Sequence, residues 1–200
     1  FESGGTLPNM INGNDASNRD TSDAPLWYIV ATAELAAKAG EEAVFGASCS
    51  GRAVSDVIVA IAEGYVRGTI NGIRVDDASG LVYSPSHFTW MDTNHPAGTP
   101  RAGYPVEIQA LWIAALDVVA RLAPGGPWAA RAERARESFA RHFWLDDRGY
   151  LSDCLHADSF RPAEQARADD HLRCNQVFAL TLGALRDPAR CRRALRALER

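Results

Sequence analysis

The chain has 200 residues and a net charge of −4, with 46% hydrophobic and 23% charged residues. This is enough for one sizeable domain with the composition of a soluble globular protein. The basic residues form no stripe interleaved with aromatic residues, so we expect no nucleic-acid partner. No apolar run reaches the ~18–20 residues of a membrane span, and no charged-then-apolar leader opens the chain, so we expect no membrane partner.

The first two helices are predicted from their ends and their periodicity. The Gly/Asn/Asp/Ser-rich segment 1–22 reads as an extended loop. A helix then begins with Ser22 or Asp23 as its N-cap, has Pro25 in its first turn and ends at Gly40. The second helix, at about 50–66, places one apolar stripe at the helical period, formed by Val54, Val57, Ile58, Ile61 and Tyr65.

An irregular region follows, in which the helical period disappears. Ile73–Val75 and Leu81–Tyr83 predict a small hairpin around the turn DDASG. The long loop 84–104 then carries several large side chains, which favours an ordered, functional loop. The large residues of this loop are Phe88, Trp90, Met91 and Tyr104.

Helical patterns resume at Val106 and run to the stop APGGP, then again from Trp128 to Phe143. WLDDRGYLSD predicts a turn with a short extended piece, and helices follow in RADDHLRCNQVFALTLGAL and from Pro188 to Glu199. This order predicts an all-α protein with functional loops on one rim. The chain begins at Phe1 in the middle of a phrase and ends inside an apparent helix, so we expect residues 1–200 to form one partial domain cut at both ends.

Six phrases occur in a recognisable order: GGTLPN, DTSDAPLWYIVA, GIRVDDASGLVY, TWMDTN, TPRAGYPVEIQALW and LRCNQVFAL. The series resembles the amylo-α-1,6-glucosidase domain of glycogen debranching enzymes, from Gly4 to about Gly183. The resemblance implies an (α/α)6 toroid, here an incomplete one with a small β-hairpin and long rim loops. It also implies inverting hydrolysis of α-1,6-linked glucose at branch points of glycogen or another α-glucan, without a cofactor.

The resemblance makes Asp92 of TWMD the general acid. The general base of the family is a Glu in a later segment, and no position of this chain matches it. The residues themselves are compatible with the acid role, because Phe88, Trp90 and Met91 can desolvate Asp92 and raise its pKa. The alternative is that Asp92 caps the turn into TNHPAG.

Other residues have the chemistry of sugar binding, which uses polar groups for hydroxyls and aromatic rings for the apolar sugar face. Asp23 and Trp27 share a helix face, although Asp23 could simply cap the helix and Trp27 could pack in the core. We therefore predict that Asp23, Trp27 and Asp92 line one pocket. Trp112 is expected in the core.

Two further pairs are candidates for substrate binding. Arg101 and Glu107 are expected to form an ion pair with one member reaching the sugar, while Glu107 could also act only on the helix dipole. Asn175 and Gln176 could bond sugar hydroxyls or serve as caps and inter-helix links. Trp90 completes the predicted substrate-binding set.

A metal site is not expected, because His87 and His95 flank Asp92 without a third ligand at suitable spacing. The four cysteines lack CxxC spacing, as is typical of reduced thiols in a cytosolic protein; they are Cys49, Cys154, Cys174 and Cys191. Two other functions stay open. One is a glycan-binding fragment without catalysis, and the other is an epimerase or phosphorolytic enzyme on the same toroid.

Overall fold

The computed structural model describes residues 1–91 and 100–199. This part of the chain is predominantly helical, and no sheet within it has more than three strands. The helices are α1 Ala24–Ala39, α2 Glu41–Phe45, α3 Val54–Arg67, α4 Val106–Leu122, α5 Trp128–His142, α6 Val177–Thr181 and α7 Pro188–Leu198. Helices are therefore the main regular elements, as the all-α prediction expected, whereas the (α/α)6 arrangement stays a prediction.

Nine short strands connect these helices. They are β1 Ser48–Cys49, β2 Arg52–Ala53, β3 Arg74–Val75, β4 Val82–Tyr83, β5 Gly103–Pro105, β6 Trp144–Leu145, β7 Tyr150–Leu151, β8 Cys154–His156 and β9 Arg167–Ala168. They form three antiparallel pairs, β1–β2, β3–β4 and β6–β7, and one three-stranded sheet in the order β5–β8–β9. The pair β3–β4 is the predicted hairpin, and β6–β7 is the predicted turn with an extended piece.

Helix α1 begins and ends where its sequence predicts. Pro25 lies in the first turn, where a helix needs no N–H from it. Asp23 is the N-cap residue, and Gly40 ends the helix with a φ of 101°, which glycine adopts at little cost.

Two other helix predictions need correction. Helix α3 begins at Val54 rather than near residue 50, because the hairpin of β1 and β2 uses the residues before it. The segment predicted as one helix after residue 167 contains β9, a 3-10 turn at Cys174–Gln176 and the short helix α6. Strand pairing with distant segments replaces the helix there, and local periodicity does not register such pairing.

Helix α4 is the centre of the core. It packs against α1, α3, α5 and α6, and is apolar on nearly every side, as expected of a helix surrounded by others. Trp112 is buried, stacks on Tyr65 with ring centroids 5.7 Å apart, and donates from Nε1 to the Gly80 carbonyl. The predicted core position of Trp112 is confirmed.

The sheet β5–β8–β9 was not predicted, because each strand is short and its partners are far away in the chain. Gly103 is required where β5 meets β8. Its φ is 128°, and a Cβ added there would lie 2.2 Å from the Leu155 carbonyl oxygen. The sheet places the segment before α4 beside residues 153–156, which matters for the site below.

All four cysteines are free thiols, of which Cys154 is buried. Within the ranges that the structure describes, no helix combines the length and the apolar character needed to cross a membrane.

Candidate active site

The loop before residue 92 docks on the start of α1. The Ser22 N–H donates to the Phe88 carbonyl at 2.6 Å, and the hydroxyls of Ser22 and Ser84 lie 2.8 Å apart. The buried Tyr65 hydroxyl donates to the Ser22 carbonyl at 2.8 Å. These bonds place Asp23, the next residue, beside the loop that leads to Asp92.

Capping of α1 does not account for the Asp23 side chain. Its carboxylate makes no cap bond, and the Ala24 N–H donates to the Thr21 hydroxyl instead, at 3.2 Å. The same hydroxyl donates to Asp23 Oδ1 at 2.6 Å. Thr21 therefore takes over the capping role that the sequence offered as the alternative for Asp23.

The two predicted sugar-binding tryptophans are the exposed ones. Trp27 is 38% exposed and Trp90 is 56% exposed. Trp27 packs edge-to-face on Phe178 of α6, with ring centroids 5.5 Å apart. Trp27 thus joins the start of α1 to α6, close to the Asn175–Gln176 pair.

The predicted ion pair between Arg101 and Glu107 forms. It is bidentate, with Arg101 Nη1 donating to Oε1 at 2.6 Å and Nη2 donating to Oε2 at 2.7 Å. The side chains are only 2% and 1% exposed. A bidentate, buried pair of this kind is rigid as well as charged.

Burial and pairing act in opposite directions on these two groups. Burial raises the pKa of Glu107, and the hydrogen bonds and charge of Arg101 oppose that rise. Burial alone lowers the pKa of Arg101, but Glu107 and Asp153 raise it above its ordinary value. Arg101 therefore stays charged and holds Glu107 in place, which does not suit Glu107 to the role of a mobile base.

Asp153 is a second buried carboxylate at this site, and the sequence did not single it out. Its Oδ2 lies 3.0 Å from both Arg101 Nε and Arg173 Nη1, and its Oδ1 accepts from Asn175 Nδ2 at 2.7 Å. The Arg101 Nε contact is an ion-pair contact without hydrogen-bond alignment. Arg101 Nη2 also donates to the Asp153 carbonyl at 2.9 Å.

Asp153 and Arg173 were missed because each lies in an irregular segment with no local sign of burial. The only available signal was the polar phrase LSD directly after a short extended piece, which is also typical of a turn. We name the five residues Arg101, Glu107, Asp153, Arg173 and Asn175 the buried polar cluster, of which Arg173 is the member at the edge, with its side chain 25% exposed.

The buried polar cluster reaches the residues directly before Asp92. Asn175 Oδ1 accepts from Trp90 Nε1 at 3.2 Å. Met91 Sδ lies 3.3 Å from Asn175 Nδ2 and 3.6 Å from Arg101 Nη1. Asp92 and His95 themselves lie outside the described residues, so the predicted meeting of Asp23, Trp27 and Asp92 stays a prediction.

In the described part of the chain, the Gln176 side chain forms hydrogen bonds only with backbone groups. Its Oε1 accepts from the Leu151 N–H at 3.2 Å, and its Nε2 donates to the Arg173 carbonyl at 3.4 Å. The side chain is 2% exposed. Gln176 thus ties the end of β7 to the turn that holds Asn175.

Two hollows border these elements without containing the cluster. A polar hollow of about 330 Å³ lies against Pro100 and Ala102, on either side of Arg101, and is also lined by His156, Asp158, Arg161, Gln165 and Arg167. A more apolar hollow of about 480 Å³ lies near the N-terminal segment, against Phe1, Leu7 and Tyr28. Neither contains a predicted site residue.

A group of possible metal ligands directly follows β9. It consists of Asp169, Asp170 and His171, whose ligand atoms lie within 4.8 Å of one another. Asp169 already accepts from the His171 ring and lies 3.1 Å from His156 Nε2. The hydrogen bonds account for this arrangement without an ion.

Comparisons with known proteins bear on the whole chain. The chain is similar to a GH78 family rhamnosidase of Bacillus sp. GL1, with 21% identity and a TM-score of 0.62, over 85% of this chain and 16% of that one. It is also similar to a rhamnosidase from Klebsiella oxytoca with rhamnose bound, with 14% identity and a TM-score of 0.65, over 100% of this chain and 35% of that one. At these identities the likeness shows a shared fold, consistent with an α/α toroid type.

No curated protein matches the chain. Residues 1–199 match the family described as amylo-alpha-1,6-glucosidase, which confirms the resemblance carried by the six ordered phrases. The chain therefore belongs to the amylo-alpha-1,6-glucosidase family of carbohydrate-active enzymes.

Proposed function

We propose that the protein carrying this chain hydrolyses α-1,6-linked glucose at branch points of glycogen or a related α-glucan, in the cytoplasm and without a cofactor. The observation that carries the proposal is the buried polar cluster, which holds Trp90 and Met91 directly before Asp92. Family membership supplies the chemistry. The domain is then part of an (α/α)6 toroid, which residues 1–200 fill incompletely.

Asp92 is the general acid in this proposal. In inversion, one carboxylic acid protonates the leaving oxygen while a second carboxylate activates a water, and the two stand roughly 6.5–9.5 Å apart. Trp90 and Met91, the two residues directly before Asp92, have largely apolar side chains, which suit a carboxyl that must hold its proton near neutral pH. The family's base is a later Glu that no position of this chain matches.

The remaining site residues divide by exposure. Asp23, Trp27 and Trp90 are at least partly exposed and are proposed to contact the sugar, the rings by stacking and the carboxylate by hydroxyl bonds. Arg101, Glu107, Asn175 and Gln176 are almost fully buried, so we propose that they hold the sugar-binding groups in position.

The proposal is tested by release of free glucose from an oligosaccharide with one α-1,6-linked glucose branch. Asp92→Asn removes the transferable proton but keeps size and shape, so turnover should fall about 10²–10⁴-fold while affinity is retained. Asp117→Asn, at a half-exposed position ten residues beyond Glu107 on α4, is the matched control and should leave turnover unchanged. Near-normal glucose release by Asp92→Asn would remove Asp92 from the acid role.

Two further arms separate the alternatives. Residues 1–200 alone should release no glucose, and robust release would place the base within this chain. Because two structures of similar fold are rhamnosidases, a rhamnoside is the second compound to be tested as a substrate. Release of rhamnose in place of glucose would keep the glycosidase proposal and reject the glucan substrate. Sugar binding without release of either sugar would favour a glycan-binding protein.

A further inference from the structure

Asn175 stands between a buried carboxylate and an exposed tryptophan. Its side-chain amide has one donating and one accepting end, and the two ends exchange places when the amide rotates by half a turn. In this structure the donating end faces Asp153, and the accepting end faces Trp90. The group that fixes the orientation of the amide therefore also decides whether the Trp90 indole N–H has a hydrogen-bond acceptor in Asn175.

Asp153 makes that selection. A carboxylate only accepts hydrogen bonds, so the amide must turn Nδ2 toward it. The carboxylate cannot adapt, because its other oxygen faces Arg101 and Arg173. With Nδ2 committed, Asn175 Oδ1 is left for the Trp90 N–H, which can only donate.

We propose that Asp153 is a positioning residue that acts through Asn175 to fix the Trp90 indole as a platform for the sugar ring. Trp90 is 56% exposed, so packing alone does not hold the ring, and among the described residues its N–H bond to Asn175 is a polar contact that orients it. The orientation of the indole follows from the geometry alone. Its consequence for sugar affinity rests on the function proposed above.

Asp153→Asn gives a specific expected result. Two guanidinium groups face the Oδ2 position, so the new amide turns its oxygen toward them and its Nδ2 toward Asn175. Asn175 must then rotate to accept that hydrogen, and its own Nδ2 comes to face the Trp90 N–H. Two donors then oppose each other, and the bond to Trp90 is lost.

The exchange of the two side chains restores the network. In the double variant Asp153→Asn, Asn175→Asp, the amide at 153 donates to the carboxylate at 175, which also accepts from Trp90. The number of charges is unchanged. If Asp153 served only to neutralise Arg101 and Arg173, the Trp90 hydrogen bond would not be lost in Asp153→Asn and regained in the double variant.

The experiment measures hydrogen exchange of the Trp90 indole N–H in the ¹⁵N-tryptophan-labelled protein without any sugar, and Trp90→Phe assigns its signal. Exchange should rise about tenfold in Asp153→Asn, as expected for loss of one hydrogen bond, and return to within about twofold of the starting value in the double variant. Asp117→Asn, remote on α4, should leave it unchanged.

Unchanged Trp90 exchange in a folded Asp153→Asn protein would overturn the proposal. If Asp153→Asn does not fold, the double variant decides, because fast Trp90 exchange in a folded double variant overturns it equally. For the glucosyl-branched oligosaccharide, KM should rise about three- to tenfold in Asp153→Asn and recover in the double variant. Absence of glucose release by the unaltered full-length protein that carries this chain would reject the proposed function and leave the indole measurement valid.

Discussion

Asp153 and Asp169 are two buried carboxylates with different surroundings at one end of the strand pair β8–β9, directly before β8 and directly after β9. The Asp153 N–H donates to the Asp169 carbonyl at 3.1 Å, and the side chains are 1% and 8% exposed. Asp153 meets two arginines and Asn175, whereas Asp169 meets the imidazoles of His156 and His171. One end of the strand pair therefore holds one carboxylate within the buried polar cluster and another that is paired with two histidines.

The difference shows that the partners of a buried carboxylate, and not its burial, decide what it does. The guanidinium partners of Asp153 keep their charge at every physiological pH, so its network is permanent and can hold a binding group in position. The partners of Asp169 are imidazoles, and His171 is 70% exposed. We expect Asp153 to control the site and Asp169 to control the response of the fold to acid.

The largest effect is expected at Asp153. Asp153→Ala removes the carboxylate that Arg101 and Arg173 share, and removal of one partner from a buried ionic network destabilises a protein by about 3–5 kcal/mol. Urea denaturation measures this change, with Asp117→Ala on the half-exposed pair with Arg136 as the control, expected below about 1 kcal/mol. Equal losses of unfolding free energy at the two positions would show that the buried network stabilises the fold no more than the half-exposed pair does.

Asp169 should show a smaller effect that depends on pH. Burial raises the pKa of Asp169, but the bonds from His171 and His156 outweigh it and lower the pKa to about 2. Because an unfolded Asp titrates near 3.9, the stabilisation is complete above about pH 4 and is lost as the pH falls toward 2.

Asp169→Asn should thus reduce stability at pH 7 by roughly 2 kcal/mol, and this variant should change less than the unaltered protein between pH 4 and 2. Thermal unfolding across that pH range makes the comparison. Parallel pH curves for the two proteins would show that Asp169 does not supply the acid sensitivity.

The sequence predicted the elements that depend on neighbouring residues. The ends of α1 were evident because Pro25 and Gly40 mark them locally, and the stripe of α3 follows one helical period. The pair Arg101–Glu107 was also within reach, because the two residues are six positions apart and flank a helix start. These are the cases in which the partner lies nearby in the chain.

The elements that were missed depend on partners far away in the chain. Asp153 contacts Arg101, which lies 52 residues earlier, and the strands β5 and β8 that bring them together are three residues long. No local pattern distinguishes Asp153 from a turn residue such as Asp146. The capping role of Asp23 was a reasonable local alternative, and Thr21 takes it because the loop at Phe88 fixes the residues before α1.

The smallest effect is expected from His171→Ala, which alters Asp169 without removing it. The His171 side chain is the strongest of the groups that lower the pKa of Asp169, while its backbone N–H donates at 3.0 Å and remains in the variant. The pKa of Asp169 should therefore move up from about 2 without reaching the ordinary value of about 3.9. Because the imidazole is 70% exposed, the loss of stability at pH 7 should stay below about 1 kcal/mol. The measurement is the pH titration of the Asp169 carboxyl ¹³C signal, and Arg148→Ala, which removes the exposed pair with Asp170, is the control that should leave it in place. An unchanged Asp169 titration in His171→Ala would assign the low pKa to His156 and the backbone N–H of residue 171. The acid response of the fold would then not depend on the exposed His171 imidazole.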